Sequence, residues 1–198
     1  MYPMMRFTLL CYFLILGVVK GEARMLPARD QEIINELKTL GDNLLNETLN
    51  SELNSRITVA QLIIDSNVAQ PSVIEGMQAF ITQWRPLLSR VSVEDYGRFS
   101  VEFPVALELE VMAKYKDEDG GLNYYTRGAF SAIKVKAATE DRQRLTAYKD
   151  TAVLKMAEVS QDTKQANYSL MNAFDDFVNQ TNLSVRNFFT FLRALREY

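Results

Sequence analysis

The chain has 198 residues, with 22 basic against 25 acidic side chains, a formal charge of −3, one cysteine and no histidine. The missing histidine excludes Ser-His-Asp and Cys-His nucleophilic machinery, imidazole acid–base work and the usual zinc ligand sets. The slight acidic excess argues against a nucleic-acid partner, which normally meets a basic surface.

Residues Met1 to Arg6 carry a positive charge, Phe7 to Val19 form a nearly unbroken apolar run, and Gly21-Glu22-Ala23 places small residues where a signal peptidase reads them. Cleavage is expected after Ala23, which leaves a secreted domain over residues 24–198. The apolar run is shorter than the roughly 20 residues that anchor a helix in a bilayer, and an uncleaved signal anchor is the alternative reading. No second run is long and apolar enough to span. Cys11 lies inside the signal-like run, so residues 24–198 contain no cysteine and cannot rely on disulfides. Burial and helix packing must stabilise them, with self-association as a further source. Removing Arg6, Lys20 and Glu22 leaves 20 basic and 24 acidic residues, a net charge of about −4.

After Pro27 the first helix is expected near Asp30, a good N-cap residue with Glu32 in the first turn. Ile33, Leu37, Leu40 and Leu44 recur at helical spacing. Leu45, Leu49, Leu53, Ile57, Ala60 and Ile64 resume the ridge slightly rotated, and the slip at Gly41 to Leu45 predicts a bend or a change of packing partner. Pro71 ends the element. Ser72 to Glu75 reads as a capping box for a second helix carrying Val73, Met77, Phe80, Ile81 and Trp84, which Pro86 should kink or stop.

Ser92 to Asp95 resembles another helix start, but residues 99–111 fit two templates. Phe99, Val101, Phe103, Val105, Leu107, Leu109 and Val111 alternate as in a strand. Tyr96, Phe99, Phe103, Leu107, Val111 and Tyr115 recur as in a helix. Helix is favoured because every clearer segment is helical and a lone hairpin is marginally stable. Gly120-Gly121 and Gly128 then mark a loop between Lys116 and Gly128. Aligned on an EF-hand loop, that stretch has Tyr115 at the first ligand position and Thr126 at the last, where Asp and Glu are required, so it reads as a charged connection rather than a calcium site. The aromatic residues Tyr96, Phe99, Phe103, Tyr115, Tyr124, Tyr125 and Phe130 read as core.

From Ala129 to Tyr198 there is neither glycine nor proline. Leu145, Tyr148, Ala152, Met156, Val159, Thr163, Ala166, Leu170, Phe174 and Phe177 recur at spacings of three and four, and Thr181, Val185, Phe188, Leu192 and Leu195 continue the phase. This ridge, of the coiled-coil kind, predicts one long amphipathic helix beginning near Ala129 or capped at Thr139. The expected architecture is all-α: a single-domain helical bundle, compact or elongated, with that helix at its C-terminal end.

Four N-x-S/T triplets, at Asn46, Asn167, Asn179 and Asn182, are candidate glycan acceptors in an exported chain. Stepping about 100° per residue puts Asn179 nearly opposite the ridge, Asn182 roughly 120° from it and Asn167 only about 60° away, so Asn167 ranks last. Glu108 and Glu110 would share a face only in a strand, and adjacent Asp175 and Asp176 diverge; neither pair is assigned a catalytic role. No phosphate-binding fingerprint occurs, and neither a cofactor nor a metal is expected. The last segment combines Val185, Phe188, Phe189, Phe191, Leu192 and Leu195 with Arg186, Arg193 and Arg196. Because the phase is shared with upstream positions, Val185, Phe188, Leu192 and Leu195 read first as an extension of the core ridge that Phe189 and Phe191 widen; any part left uncovered would bind a protein partner, a second copy, a hydrophobic ligand or an anionic membrane surface. The expected function is a secreted, N-glycosylated, non-enzymatic protein that binds a partner or itself through an apolar helix face. A carrier of lipids or other hydrophobic molecules is the alternative.

Overall fold

The computed structural model describes residues 26–99, 102–103, 118–180 and 185–198, giving only the backbone for 118–120 and 185–186. The signal-like segment, Glu108, Glu110, Tyr115, Thr181 and Asn182 lie outside the described residues, as does most of the stretch in which strand and helix compete. What is described is all-α. The helices are α1 (Ala28–Ser66), α2 (Pro71–Trp84), α3 (Glu118–Tyr125), α4 (Ala129–Glu158), α5 (Gln161–Ala166), α6 (Tyr168–Val178) and α7 (Val185–Arg196), with a 3₁₀ turn at Arg85–Leu87 and further helix at 93–99 and 102–103. Packing divides the described residues into two compact units, one drawn from residues 46–139 and the other from 26–45 and 140–198.

The first helix starts at Ala28 rather than at Asp30 and runs unbroken through the expected slip. Its ridge changes units there, since residues up to Leu45 belong to one and those from Asn46 to the other. Gly41, not Leu40, occupies the inward position: Leu40 is partly exposed while Ile33, Ile34, Leu37, Leu44 and Leu45 are buried. A Cβ built on Gly41 would lie 2.6 Å from Leu192 Cδ1 and 3.0 Å from the Tyr148 hydroxyl oxygen, so the glycine permits a close approach. After Ser66 the chain leaves the helix through Asn67 in the left-handed region (φ 56°).

The second helix begins two residues earlier than the capping-box reading implies. Pro71 takes the first helical position, Gln70 is the N-cap without a side-chain bond, and Ser72 sits inside the first turn. Proline suits that position because it has no N–H to leave unpaired and its φ is already helical. Pro86 acts as expected, with the α-helix ending at Trp84 and tightening into the 3₁₀ turn. The Ser92 cap also forms: the Asp95 carboxylate accepts from the Ser92 backbone N–H (3.0 Å) and hydroxyl (2.8 Å), and the Ser92 oxygen accepts from the Asp95 N–H (3.1 Å).

The loop expected before Gly128 is mostly helix α3. Gly120 and Gly121 fall in its first turn, while Leu122 and Tyr125, three residues apart, are both buried, and this burial offsets the low helix propensity of glycine. The connection shrinks to residues 126–128, where Arg127 (φ 53°) and Gly128 (φ 86°) turn the chain in left-handed conformations. Thr126 Oγ1 then accepts from the Phe130 N–H (2.9 Å) and Asn123 Oδ1 from the Ser131 N–H (3.0 Å), satisfying the first free donors of α4.

The single long C-terminal helix is not what forms. The glycine- and proline-free segment breaks at Val159-Ser160, at Asn167 and after Val178, giving α4 to α7. Serine and asparagine supply the breaks, because their short polar side chains compete with the helical backbone for hydrogen bonds. Ser160 N-caps α5 by accepting from the Thr163 N–H, and the Asn167 amide donates to the Thr163 carbonyl at 2.7 Å. Most of the ridge survives the re-phasing. Leu145, Tyr148, Ala152, Met156, Val159, Thr163, Leu170 and Phe177 are buried, whereas Asn167 and Ala173 replace Ala166 and Phe174 at buried positions.

Replacing Gly41 with leucine is expected to lower stability by about 2 kcal/mol, since overpacking outweighs the gain in helix propensity. The urea midpoint should fall with the slope unchanged; an unaltered midpoint would show that Leu192 and Tyr148 do not crowd this position.

Candidate functional site

The C-terminal face singled out by composition is folded inward. Phe188, Phe191, Leu192 and Leu195 of α7 are buried, and Phe189 is half-buried with its ring 5.6 Å from that of Phe188. Val185 lies on α7 with only its backbone described. These rings pack on α4 and α6 around Tyr148. Its ring centroid lies 5.2 Å from Phe188 in an edge-on arrangement, 5.9 Å from Phe177 and 6.4 Å from Phe191, and Phe177 stacks on Phe191 at 5.7 Å. The candidate binding residues with described side chains therefore serve mainly as core. An amphipathic composition does not distinguish a face covered by neighbouring helices from one left open.

The polar groups of this unit serve the fold as well. The Tyr148 hydroxyl donates to the Leu37 carbonyl at 3.1 Å, and burial, with Asp42 adding to it, pushes the phenol far above its ordinary pKa. It therefore stays a protonated donor. At the start of α1, Asp30 is only 3% exposed, and its carboxylate accepts from Ser160 N–H (3.1 Å), Ser160 Oγ (2.5 Å) and Thr163 Oγ1 (2.5 Å). Hydrogen bonds from the Ser160 and Thr163 side chains hold its pKa below the usual carboxylate range; burial opposes them, and the Ser160 backbone and Lys164 assist. Asp95 is also held low, first by the Ser92 backbone N–H, as part of the reciprocal cap it forms with Ser92. The reading of Asp30 as an N-cap missed its long-range role. Thr163, the one ridge position from Leu145 to Phe177 that is neither apolar nor aromatic, was the available signal.

Exposed ion pairs add little here: Arg29–Glu158 is held at 2.9 Å between largely exposed groups, where screening and side-chain entropy cancel most of the attraction. Lys155–Glu36 (2.6 Å) joins α4 to α1, and Arg196–Asp42 joins α7 to α1.

In the other unit, Tyr96, Phe99 and Phe103 of the aromatic residues read as core meet Phe80 and Trp84 in a ring cluster. Phe80, Trp84, Tyr96, Phe99, Phe103 and Tyr125 are buried, Phe130 is half-buried and Tyr124 is exposed, against that reading. The Arg56 guanidinium stands 5.7 Å from the Phe99 ring centroid and 5.6 Å from that of Phe103, and it pairs with Glu52 at 2.9 Å. Glu102 accepts from Trp84 Nε1 (2.7 Å) and Gln83 Nε2 (2.9 Å).

The glycan acceptors separate by exposure. Asn46 on α1 and Asn179 at the end of α6 are exposed. Asn167 is 2% exposed, its amide nitrogen donates to Thr163, and its Oδ1 is buried without a partner. A bulky polar glycan does not fit that position, and Asn167 is set aside as an acceptor. Asp175 and Asp176 are exposed, as a solvated face requires. The large apolar side chains left open in this unit include Val153 (42%) and Leu154 (70%) on α4 and Tyr168 (75%) at the start of α6. Their sequence signal was their position off the ridge.

No family model, no curated protein and no solved structure matches the chain.

Truncating Phe191 to alanine is expected to cost about 3 to 5 kcal/mol, enough to unfold much of the population of a marginal domain, rather than to weaken binding selectively. Calorimetry of the variant would measure this, and native-like stability would place Phe191 outside the core. Replacing Asp30 with alanine strands three donors and should cost about 2 kcal/mol. The folded Asp30 is more acidic than the unfolded one, so its contribution is complete above about pH 4 and fades as pH falls through the folded value. In denaturation curves from pH 2 to 7, the alanine variant should lose part of that acid dependence.

Proposed function

We propose that the chain is a secreted, N-glycosylated, non-enzymatic helical protein, a single exported domain over residues 24–198 built from two packing units, that binds a protein partner or itself through an apolar helix face. The export reading rests on the charge of Met1 to Arg6, the run Phe7 to Val19 and the small residues around Ala23. Among the described residues no helix is long and apolar enough to cross a membrane. Exposure at Asn46 and Asn179 suits glycan acceptors.

The observation that carries the binding reading is the exposure of adjacent Val153 and Leu154 on α4, off the ridge, in a unit whose ridge residues are largely covered. Binding there would bury apolar area that the fold leaves in water. The non-enzymatic reading draws on the structural use of the strongly hydrogen-bonded carboxylates, Asp30 fixing Ser160 and Thr163 and Asp95 capping a helix start. A carrier of hydrophobic molecules gains no support from the Tyr148 neighbourhood, where rings meet rings.

Expression in a eukaryotic secretory host tests export. Protein in the medium should begin at Arg24 and lose mass on endoglycosidase treatment, with Asn46→Gln and Asn179→Gln each removing one glycan and Asn167→Gln removing none. Retention in the cell with residues 1–23 attached would overturn the export reading. The binding face is tested by sedimentation across concentration and by partner capture from extracellular fluid, using Leu154→Glu as the control. That variant should keep the wild-type unfolding midpoint within about 0.5 kcal/mol, as surface changes do, and lose association. Association unaffected by it would move the face elsewhere.

A further inference from the structure

No further inference is drawn: the strongest candidate, the buried Asn167 Oδ1 beside the Asp30, Ser160 and Thr163 cluster where α5 meets α6, carries nothing because the described residues supply no second open polar group to hold a ligand there and the cluster's other groups already fasten the fold.

Discussion

The unit formed by residues 26–45 and 140–198 depends on one buried carboxylate. Helix α5 has only six residues, too few to stand alone in water, and its first turn would expose free N–H groups. Ser160 caps that turn from within, and Asp30, 130 residues earlier in the chain, fixes Ser160 and Thr163 by accepting both hydroxyls. A carboxylate suits the position because it accepts only and can take several bonds at once. Asparagine there could not accept as many. With α5 held, the chain re-enters a helix at Tyr168 and again at Val185, and the apolar ridge folds back on itself.

That folding back creates the ring cluster around Tyr148 and two opposed requirements. The rings need close contact, which Gly41 provides by letting α1 approach the Tyr148 hydroxyl and Leu192. The hydroxyl needs a partner once buried, and the Leu37 carbonyl supplies it one turn before Gly41. A larger residue at 41 would damage both arrangements. The exposed ion pairs at the margins contribute far less, because water screens them.

The residues 46–139 handle charge differently. Arg56 lies beside two phenylalanine rings while its guanidinium pairs with Glu52, so a cation is partly buried with compensation from both a carboxylate and aromatic faces. Glu102 similarly satisfies the indole N–H of a fully buried tryptophan. In both units the strongest polar contacts organise helices. A few large apolar side chains, Val153 and Leu154 among them, stay open on an otherwise polar described surface, and they are the basis of the binding proposal.

Much of the helical character was legible in the residues. The spacing of Val73, Met77, Phe80, Ile81 and Trp84 located a helix that Pro86 ends, the reciprocal cap of Ser92 and Asp95 formed as its pattern implies, and eight of the ten ridge positions from Leu145 to Phe177 are buried. These depend on local geometry, in which a side chain three or four residues away is already a neighbour. The breaks at Ser160 and Asn167 and the helix through Gly120-Gly121 were not legible, whereas Phe188, Leu192 and Leu195 continued the ridge phase and are buried as that phase implies, on partners the phase does not name. Each is decided by a group distant in the chain or by burial in the assembled unit: Asp30 for Ser160, and Tyr148 with Phe177 for the rings of α7. Sequence periodicity alone set which side chains share a ridge. Only tertiary structure decided whether that ridge faces another helix or water, because covering an apolar face depends on where the rest of the chain lies.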